Sequence, residues 1–182
     1  MNFIVVQTNL NDTPLILIVD DDALQREVLQ VTLEMNGYKT LTTNNGTSAL
    51  QYAEKHLPDL ILLDVRMNGL DGYEVCYRLR ENRHTHRIPI IIISGLERDE
   101  DQRIAIEAGA NDFLSKPFNR MIMLNRIHTL IHLKQMHEAL EARDMLLEKA
   151  LNGRLTNEDY ETIAYLLQNT PQLEPPNLSF NR

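Results

Sequence analysis

Three aspartates stand side by side in the stretch LILIVDDDA (15–23), directly after five apolar residues. Like charges this close raise one another's pKa values unless a cation neutralises them or they reach into water. Further polar groups follow or end other short apolar runs of the chain: Asp64, Ser94 and Lys116. Several carboxylates suit a hard divalent cation such as Mg²⁺, and a lysine and a hydroxyl opposite the metal suit a phosphoryl group. These residue types indicate phosphoryl chemistry, with Asp64 as the candidate nucleophile.

The same apolar runs predict the strands of a sheet, at residues 15–19, 38–42, 59–63, 89–94 and 112–115. Most of them are too continuous to have one side in water, which is typical of strands buried on both faces of a parallel sheet. Amphipathic helical patterns alternate with them, at 23–36, 47–56, 71–81 and 99–108. This alternation predicts an α/β fold with a doubly wound parallel sheet. The polar groups then meet at the carboxyl ends of the strands.

The spacing of apolar residues predicts which helix faces are buried. In the first helix the predicted apolar face consists of Leu24, Val28, Val31 and Met35. In the last helix of the domain the residues predicted to pack on the sheet are Met121, Leu124, Ile127 and Ile131. Cys76 falls on the apolar face of the third helix, so we interpret it as a core residue.

The chain continues beyond the last predicted strand as one long helix. Residues 119–151 contain neither Pro nor Gly, which predicts a helix about 50 Å long. In its later part the apolar residues come near heptad spacing, with an interruption at Arg143: Leu133, Met136, Leu140, Leu147 and Ala150. The extension 134–151 is therefore either a coiled coil or a single exposed amphipathic helix.

A short final helix is predicted within 152–170, after Gly153 ends the long one. Thr156 and Asp159 have the spacing of a capping box. The predicted apolar stripe of this helix consists of Tyr160, Ile163, Ala164 and Leu167. The proline-rich segment 171–182 is expected to be disordered.

The composition limits the function classes. The chain has 182 residues, a net charge of −8 and a pI of about 5.2, which argues against broad binding to nucleic acid. A single cysteine allows no internal disulfide, so nothing points to secretion. The apolar runs are far shorter than the roughly 18 residues of a membrane span. Residues 1–14 lack a signal peptide's basic region and are expected to be a loose leader. We expect a cytoplasmic protein without membrane or direct nucleic-acid association.

Four motifs of the chain occur in a characteristic order: VDDDALQREVL, DLILLDVRMNGLDGYEV, PIIIISG and GANDFLSKPF. Together they resemble the receiver domain of two-component response regulators, over residues 15–133. The resemblance implies a (βα)5 flavodoxin-like fold with strand order 2-1-3-4-5, followed here by an extended C-terminal helix. It implies a signalling switch and not an enzyme. A sensor histidine kinase or a phosphotransfer protein would phosphorylate it in the presence of Mg²⁺.

The resemblance also implies roles for individual residues. Asp64 matches the phosphoacceptor. The implied magnesium ligands are Asp20, Asp21, Asp64 and the backbone carbonyl of Arg66. The implied partners of the phosphoryl group are Ser94 and Lys116, and Phe113 matches the aromatic switch residue that turns inward when the hydroxyl moves. A cis bond is expected before Pro117, and Asp22 is expected to be an exposed charge at a helix N-terminus.

The chain departs from the family pattern at Asn68, where proline is common, and this puts the rigidity of that loop in doubt. Asn tolerates turn geometry and positive φ. Arg66 and Leu96 occupy positions that tune dephosphorylation in the family. We hypothesise that these two side chains hinder attacking water and prolong the phosphorylated state. An unchanged decay rate in an Arg66→Ala, Leu96→Ala variant would contradict this.

Several alternatives remain open. A dehalogenase-type phosphatase needs a second aspartate two residues after Asp64, where this chain has Arg66. His128 and His132 have metal-chelating spacing on a helix, but without an evident third ligand we expect them to face solvent or a partner. The basic stretch 78–87 is expected to be a solvated loop, with docking of an acidic partner as the alternative. The long helix suggests a homodimer. The chain could also be the receiver part of a larger regulator with a cyclic-dinucleotide enzyme, or a phosphorylation-independent adaptor.

Overall fold

The computed structural model describes residues 13–95 and 99–169. Its strands are β1 (Leu15–Val19), β2 (Lys39–Thr43), β3 (Leu60–Asp64), β4 (Ile90–Ser94) and β5 (Asp112–Ser115). Its helices are α1 (Ala23–Glu34), α2 (Gly46–His56), α3 (Gly72–Glu81), α4 (Asp99–Glu107), α5 (Arg120–Leu151) and α6 (Asn157–Asn169). Strands β2, β3 and β4 begin one residue later than predicted. Such shifts are expected, because element boundaries are the least certain part of a pattern-based prediction.

The five strands form one sheet in the order β2-β1-β3-β4-β5, with every neighbouring pair parallel. This confirms the predicted α/β fold and its strand order. β3 is the central strand and is buried along its whole length, as is β4. Because consecutive side chains of a strand point to opposite faces, the continuous apolar runs supply two cores, one on each side of the sheet.

The two cores divide the strand residues by alternation. On one face Leu17, Val19, Ile61 and Leu63 pack with residues of α2, α3 and α4, including the buried Cys76. On the other face Ile16, Ile18, Leu60 and Leu62 pack with residues of α1 and α5. The prediction that Cys76 is a core residue is confirmed.

The predicted apolar face of α1 is wrong. Its four residues are between 49% and 75% exposed: Leu24, Val28, Val31 and Met35. The residues that α1 buries against the sheet are Leu29 and Leu33. The helix carries two apolar stripes, and periodicity alone does not say which of them turns towards the sheet.

The predicted contact face of α5 is partly wrong. Met121 is 64% exposed, whereas Met123 is only 1% exposed and packs in the core with Ile127 and Ile131. Leu124 is partly buried against the same core. The first turn of α5 is rotated about the helix axis relative to the prediction, so Met123 and not Met121 packs against the sheet.

The described chain falls into two compact units that divide at Met136, within α5. In the second unit Gly153 has a φ of 62° after the end of α5. Thr156 and Asp159 form the predicted capping box, because the Thr156 backbone N–H donates to Asp159 (2.7 Å) and the Asp159 N–H donates back to the Thr156 hydroxyl (3.3 Å). Lys149 also donates to Asp159 at 2.5 Å. These contacts fix the start of α6 beside the end of α5.

The predicted stripe of α6 is only partly buried, because Ile163 is half-buried while Tyr160 and Ala164 are exposed. The side chain of Leu167, the leader up to residue 12 and the tail 171–182 lie outside the described residues. Among the described helices, none is both long and apolar enough to span a bilayer.

Candidate functional site

Three carboxylates meet at the carboxyl edge of the sheet. Asp20 follows β1 and Asp64 ends β3, and these strands are hydrogen-bonded neighbours with Val19 paired to Leu63. One carboxylate oxygen from each of Asp20, Asp21 and Asp64 lies within 4.8 Å of the others. Asp20 and Asp64 are buried, at 2% and 6% exposure, while Asp21 faces solvent. Adjacent strands therefore create a half-open acidic pocket from residues 44 positions apart, counted from 20 to 64.

Lys116 reaches this pocket from the end of β5. Its Nζ donates to Asp64 Oδ1 at 2.6 Å and to Asp20 Oδ2 at 3.0 Å. The Lys116–Pro117 peptide bond is cis, as expected. β4 separates β5 from β3 in the sheet, so the long lysine side chain crosses the end of a strand to join the carboxylates. Lys116, Asp20 and Asp64 thus form one ion-paired cluster.

Burial and the contacts with Lys116 act in opposite directions on the pKa values of this cluster. Removal from water raises the pKa of Asp64, although the hydrogen bond and the charge of Lys116 act against it. For Lys116, burial alone would lower the pKa, but hydrogen bonds to Asp64 and Asp20 outweigh burial and raise it. One ammonium faces three carboxylates, which leaves a net negative charge. The carboxylate donor set and this residual charge fit a hard divalent cation with oxygen ligands, and Mg²⁺ is such a cation.

Asp22, the third aspartate of the run, has a different task. Its carboxylate accepts the backbone N–H groups of Leu24 (2.9 Å) and Gln25 (3.1 Å) and so caps α1. The hydrogen bond from the Gln25 side chain is the largest cause of its lowered pKa. The expectation of an exposed charge at a helix N-terminus is confirmed.

The loop after β3 touches the acidic pair. The Asn68 amide donates to Asp21 Oδ2 at 3.4 Å. The positive φ in this loop belongs to Gly69, at 89°, and not to Asn68. Arg66 is exposed, and its backbone N–H bonds to Asp64. The role of the Arg66 carbonyl remains a prediction.

The expected switch residues lie on β4 and β5, the strands between the centre of the sheet and Lys116. Ser94 ends β4, is 1% exposed and pairs in register with Ser115 of β5. Phe113 is half-buried in β5 and packs against the core on the α2, α3 and α4 side. The tuning position Leu96 lies outside the described residues. The structure therefore brings together Asp20, Asp21, Asp64 and Lys116, with Ser94 on the neighbouring strand end.

Sequence reasoning missed two residues at this edge. Arg26 of α1 donates from Nη1 to the backbone carbonyl of Asp20 at 2.6 Å. Gly72 begins α3 so close to β3 that a Cβ at this position would lie 2.3 Å from the Asp64 carbonyl oxygen. The DG pair that opens α3 was a visible signal for a close backbone approach. No comparable signal in the neighbouring residues indicates the direction of the Arg26 side chain.

The basic stretch 78–87 is not simply a solvated loop. Arg80 donates to the carbonyls of Gly109 (2.7 Å), His86 (3.1 Å) and Ile88 (2.9 Å) and to Asn111. Thr85 is fully buried and donates to the Leu79 carbonyl at 2.9 Å. Part of this stretch thus connects α3 by hydrogen bonds to the segments that lead into β4 and β5.

The two histidines of α5 face solvent, as expected. His128 and His132 are exposed, and their rings stack with centroids 6.2 Å apart. Within residues 13–95 and 99–169, the group of three or more side chains placed to hold a metal ion is the acidic one of Asp20, Asp21 and Asp64.

The fold and the pocket define a class of protein: a five-stranded parallel α/β domain with an acidic, lysine-bridged site at the carboxyl edge of its sheet. Residues 16–128 match the model of the response regulator receiver domain, and the chain belongs to this family. Receiver domains of this family act in phosphorylation-based signalling.

Known proteins agree with this assignment. The response regulator PleD of Caulobacter vibrioides is 36% identical over 129 residues, which are 71% of this chain and 28% of PleD. The chain thus spans little more than a quarter of that relative. A crystal structure of a putative response regulator from Chloroflexus aurantiacus is 35% identical, with a TM-score of 0.64 over 66% of this chain and 99% of that one.

A second solved structure bears on the metal. It is the receiver domain of a sensor histidine kinase from Pseudomonas aeruginosa, which holds a magnesium ion in its active-site cleft. It is 30% identical to this chain, with a TM-score of 0.63 over 66% of this chain and 99% of that one.

Proposed function

We propose that this protein is a phosphorylation-dependent signalling switch. A sensor histidine kinase or a phosphotransfer protein donates a phosphoryl group to Asp64 in the presence of Mg²⁺. The observation that carries the proposal is the convergence of Asp20, Asp21 and Asp64 within 4.8 Å, with Lys116 ion-paired to two of them. Family membership and the magnesium-containing relative support it.

The chemistry follows from the positions of the groups. A carboxylate oxygen of Asp64 forms a bond to phosphorus while the bond from phosphorus to the donor's imidazole nitrogen breaks. The electron pair stays on that nitrogen. Asp20, Asp21, Asp64 and the Arg66 carbonyl would hold Mg²⁺, which would supply positive charge to offset the repulsion between the carboxylates and the incoming phosphoryl group. Lys116 exchanges part of its contact with the carboxylates for a phosphoryl oxygen.

The same groups connect phosphorylation to a change of surface. Ser94 lies on the strand end beside Asp64, so its hydroxyl can donate to a phosphoryl oxygen on that residue. Phe113 then turns inward, and the face formed by α4, β5 and α5 is re-biased between two arrangements. We propose that the chain itself is not an enzyme beyond loss of its own phosphoryl group, that it acts in the cytoplasm, and that it binds neither membrane nor nucleic acid directly.

The exposed stripe of α1 supports a helical phosphodonor. Leu24, Val28, Val31 and Met35 line one face of the helix, and α1 begins at the cap Asp22, directly after the acidic pair. A donor that brings a phosphohistidine to Asp64 must lie beside this edge. A helix of the donor would cover the stripe. Val28→Asp should then slow transfer from a phosphorylated histidine phosphotransfer domain but leave phosphorylation by acetyl phosphate unchanged. Equal slowing by both donors would contradict this docking.

The later part of α5 supports a homodimer. Leu133, Met136, Leu140 and Leu147 are each about half exposed or more and follow heptad spacing. We propose that a second copy covers this seam and that the dimer depends on phosphorylation. Sedimentation at high protein concentration, with and without beryllofluoride, tests this. A monomer under both conditions would refute the homodimer but would not affect the proposal of a phosphorylation-dependent switch.

The direct test of the function is intact mass after incubation with Mg²⁺ and acetyl phosphate. The wild type should gain one phosphoryl group, while Asp64→Asn and a sample containing excess EDTA should not. No added mass on the wild type would favour the alternative of a phosphorylation-independent adaptor. Because the chain spans only 28% of PleD, a receiver within a larger regulator is the second candidate. A cyclic-dinucleotide enzyme as the output of that regulator is part of the same proposal. The length of the full gene decides that point.

A further inference from the structure

Arg26 lies one turn into α1, on the side of the helix that faces the end of β1. Its Nη1 donates to the backbone carbonyl of Asp20 at 2.6 Å, and the contact is partly buried. The Arg26 backbone N–H donates to the Asp22 carbonyl within α1. Arg26 thus ties the first helix back to the turn that carries the acidic pair.

Every polar group of Asp20 has a hydrogen-bond partner, and the carbonyl is held by Arg26. The Asp20 N–H donates to the Thr43 carbonyl at 3.3 Å. One carboxylate oxygen accepts the Asp22 N–H at 2.9 Å, and the other accepts Lys116 at 3.0 Å. The carbonyl that Arg26 holds belongs to the peptide between Asp20 and Asp21. Its orientation therefore sets the directions in which both side chains of the pair leave the backbone.

Resting on the proposed function, we infer that Arg26 is a positioning residue for the metal site: it fixes the Asp20–Asp21 peptide plane so that both carboxylates face the pocket. Arg26 does not hydrogen-bond the Asp20 carboxylate, whose two oxygens accept from Asp22 and Lys116. A guanidinium near the pocket also repels a divalent cation. Positioning by Arg26 would strengthen Mg²⁺ binding, whereas repulsion by its charge would weaken it. Removal of Arg26 therefore distinguishes the two effects.

The experiment is a calorimetric titration of the full chain with MgCl₂. Arg26→Ala should weaken Mg²⁺ binding about tenfold, the lower end of the effect of losing a residue that orients a metal ligand. Arg26→Gln, which keeps a donor without the charge, should recover part of the loss. Arg83→Ala is the matched control, because Arg83 is exposed and follows the C-terminal end of α3. The variant removes the same charge away from the acidic pocket and should leave Mg²⁺ affinity unchanged.

Tighter or unchanged Mg²⁺ binding in both Arg26 variants would overturn the inference, because the arginine would then act only as a repelling charge or not at all. If the wild type itself does not bind Mg²⁺, the metal site falls and this inference falls with it. Failure of the inference alone leaves wild-type binding intact, so the two failures are distinguishable.

A second readout separates positioning from a general loss of structure. Phosphorylation of Arg26→Ala by acetyl phosphate should need a higher Mg²⁺ concentration for half-maximal rate, while the rate at saturating Mg²⁺ stays near the wild-type value. Thermal unfolding in EDTA identifies a variant that has lost its fold. If the Mg²⁺ requirement is unchanged in a folded Arg26→Ala, the positioning role is refuted.

Discussion

Removal of the lysine that bridges the acidic pocket should destabilise the metal-free protein and make its stability depend strongly on Mg²⁺. Lys116 neutralises two carboxylates that are almost entirely buried, Asp20 and Asp64. Lys116→Met keeps most of the apolar side chain but removes the ammonium. The two carboxylates then repel each other across a poorly solvated pocket, with no cation between them.

The size of the effect follows from burial. Breaking a fully buried ion pair costs about 3–5 kcal/mol. The Lys116 side chain is 21% exposed, and water at the open side of the pocket reduces the cost, so we expect a loss of about 2–3 kcal/mol. For a domain of this size that corresponds to a fall in Tm of roughly 10 °C. Millimolar Mg²⁺ should restore most of the loss, because the metal replaces the missing charge and binding stabilises the folded state.

The assay is urea unfolding followed by circular dichroism, in EDTA and in Mg²⁺. Lys134→Met is the matched control, because Lys134 forms a partly buried ion pair with Asp59 at 2.9 Å on a part of the domain without the acidic cluster. Its loss of stability should not respond to Mg²⁺. The reasoning is refuted if Lys116→Met is as stable as the wild type in EDTA. It is also refuted if Mg²⁺ stabilises Lys116→Met and the wild type equally.

Three further changes test other features. Gly72→Ala places a Cβ 2.3 Å from the Asp64 carbonyl oxygen and should cost at least about 2 kcal/mol in urea unfolding; a near-neutral change would show that α3 moves freely. Leu57 is exposed with a φ of 45°, so Leu57→Gly should stabilise by about 0.5–1 kcal/mol, and a destabilised variant would mean that its side chain packs. The hydrogen bond from Lys149 is the largest cause that lowers the pKa of Asp159 to about 2. The stability that Asp159 gives α6 should therefore be present above about pH 4 and be lost as the pH falls towards about 2. Amide NMR of residues 157–169 should show this loss of helix stability in the wild type. The same pH dependence in Asp159→Asn would refute the assignment to Asp159.

The sequence determined the sheet because the strand signal is local and redundant. Runs such as LILIV and PIIII can only be buried on both sides, and their alternation with helical patterns leaves few topologies. The polar groups at the ends of these runs could be predicted for the same reason. Parallel strands place their carboxyl ends at one edge, so Asp20, Asp64 and Lys116 had to approach one another.

Tertiary structure alone decided the orientation of helices and side chains. α1 carries one apolar stripe at Leu24 and Val28 and another at Leu29 and Leu33, and helical periodicity fits both. The choice depends on the rotation of the helix about its axis, which is set by contacts with strands distant in the sequence. The same holds for Arg26, whose bond to the Asp20 carbonyl depends on where the first turns of α1 lie. Periodicity and strand ends are properties of neighbouring residues, whereas helix rotation and side-chain direction arise only when the whole core is packed.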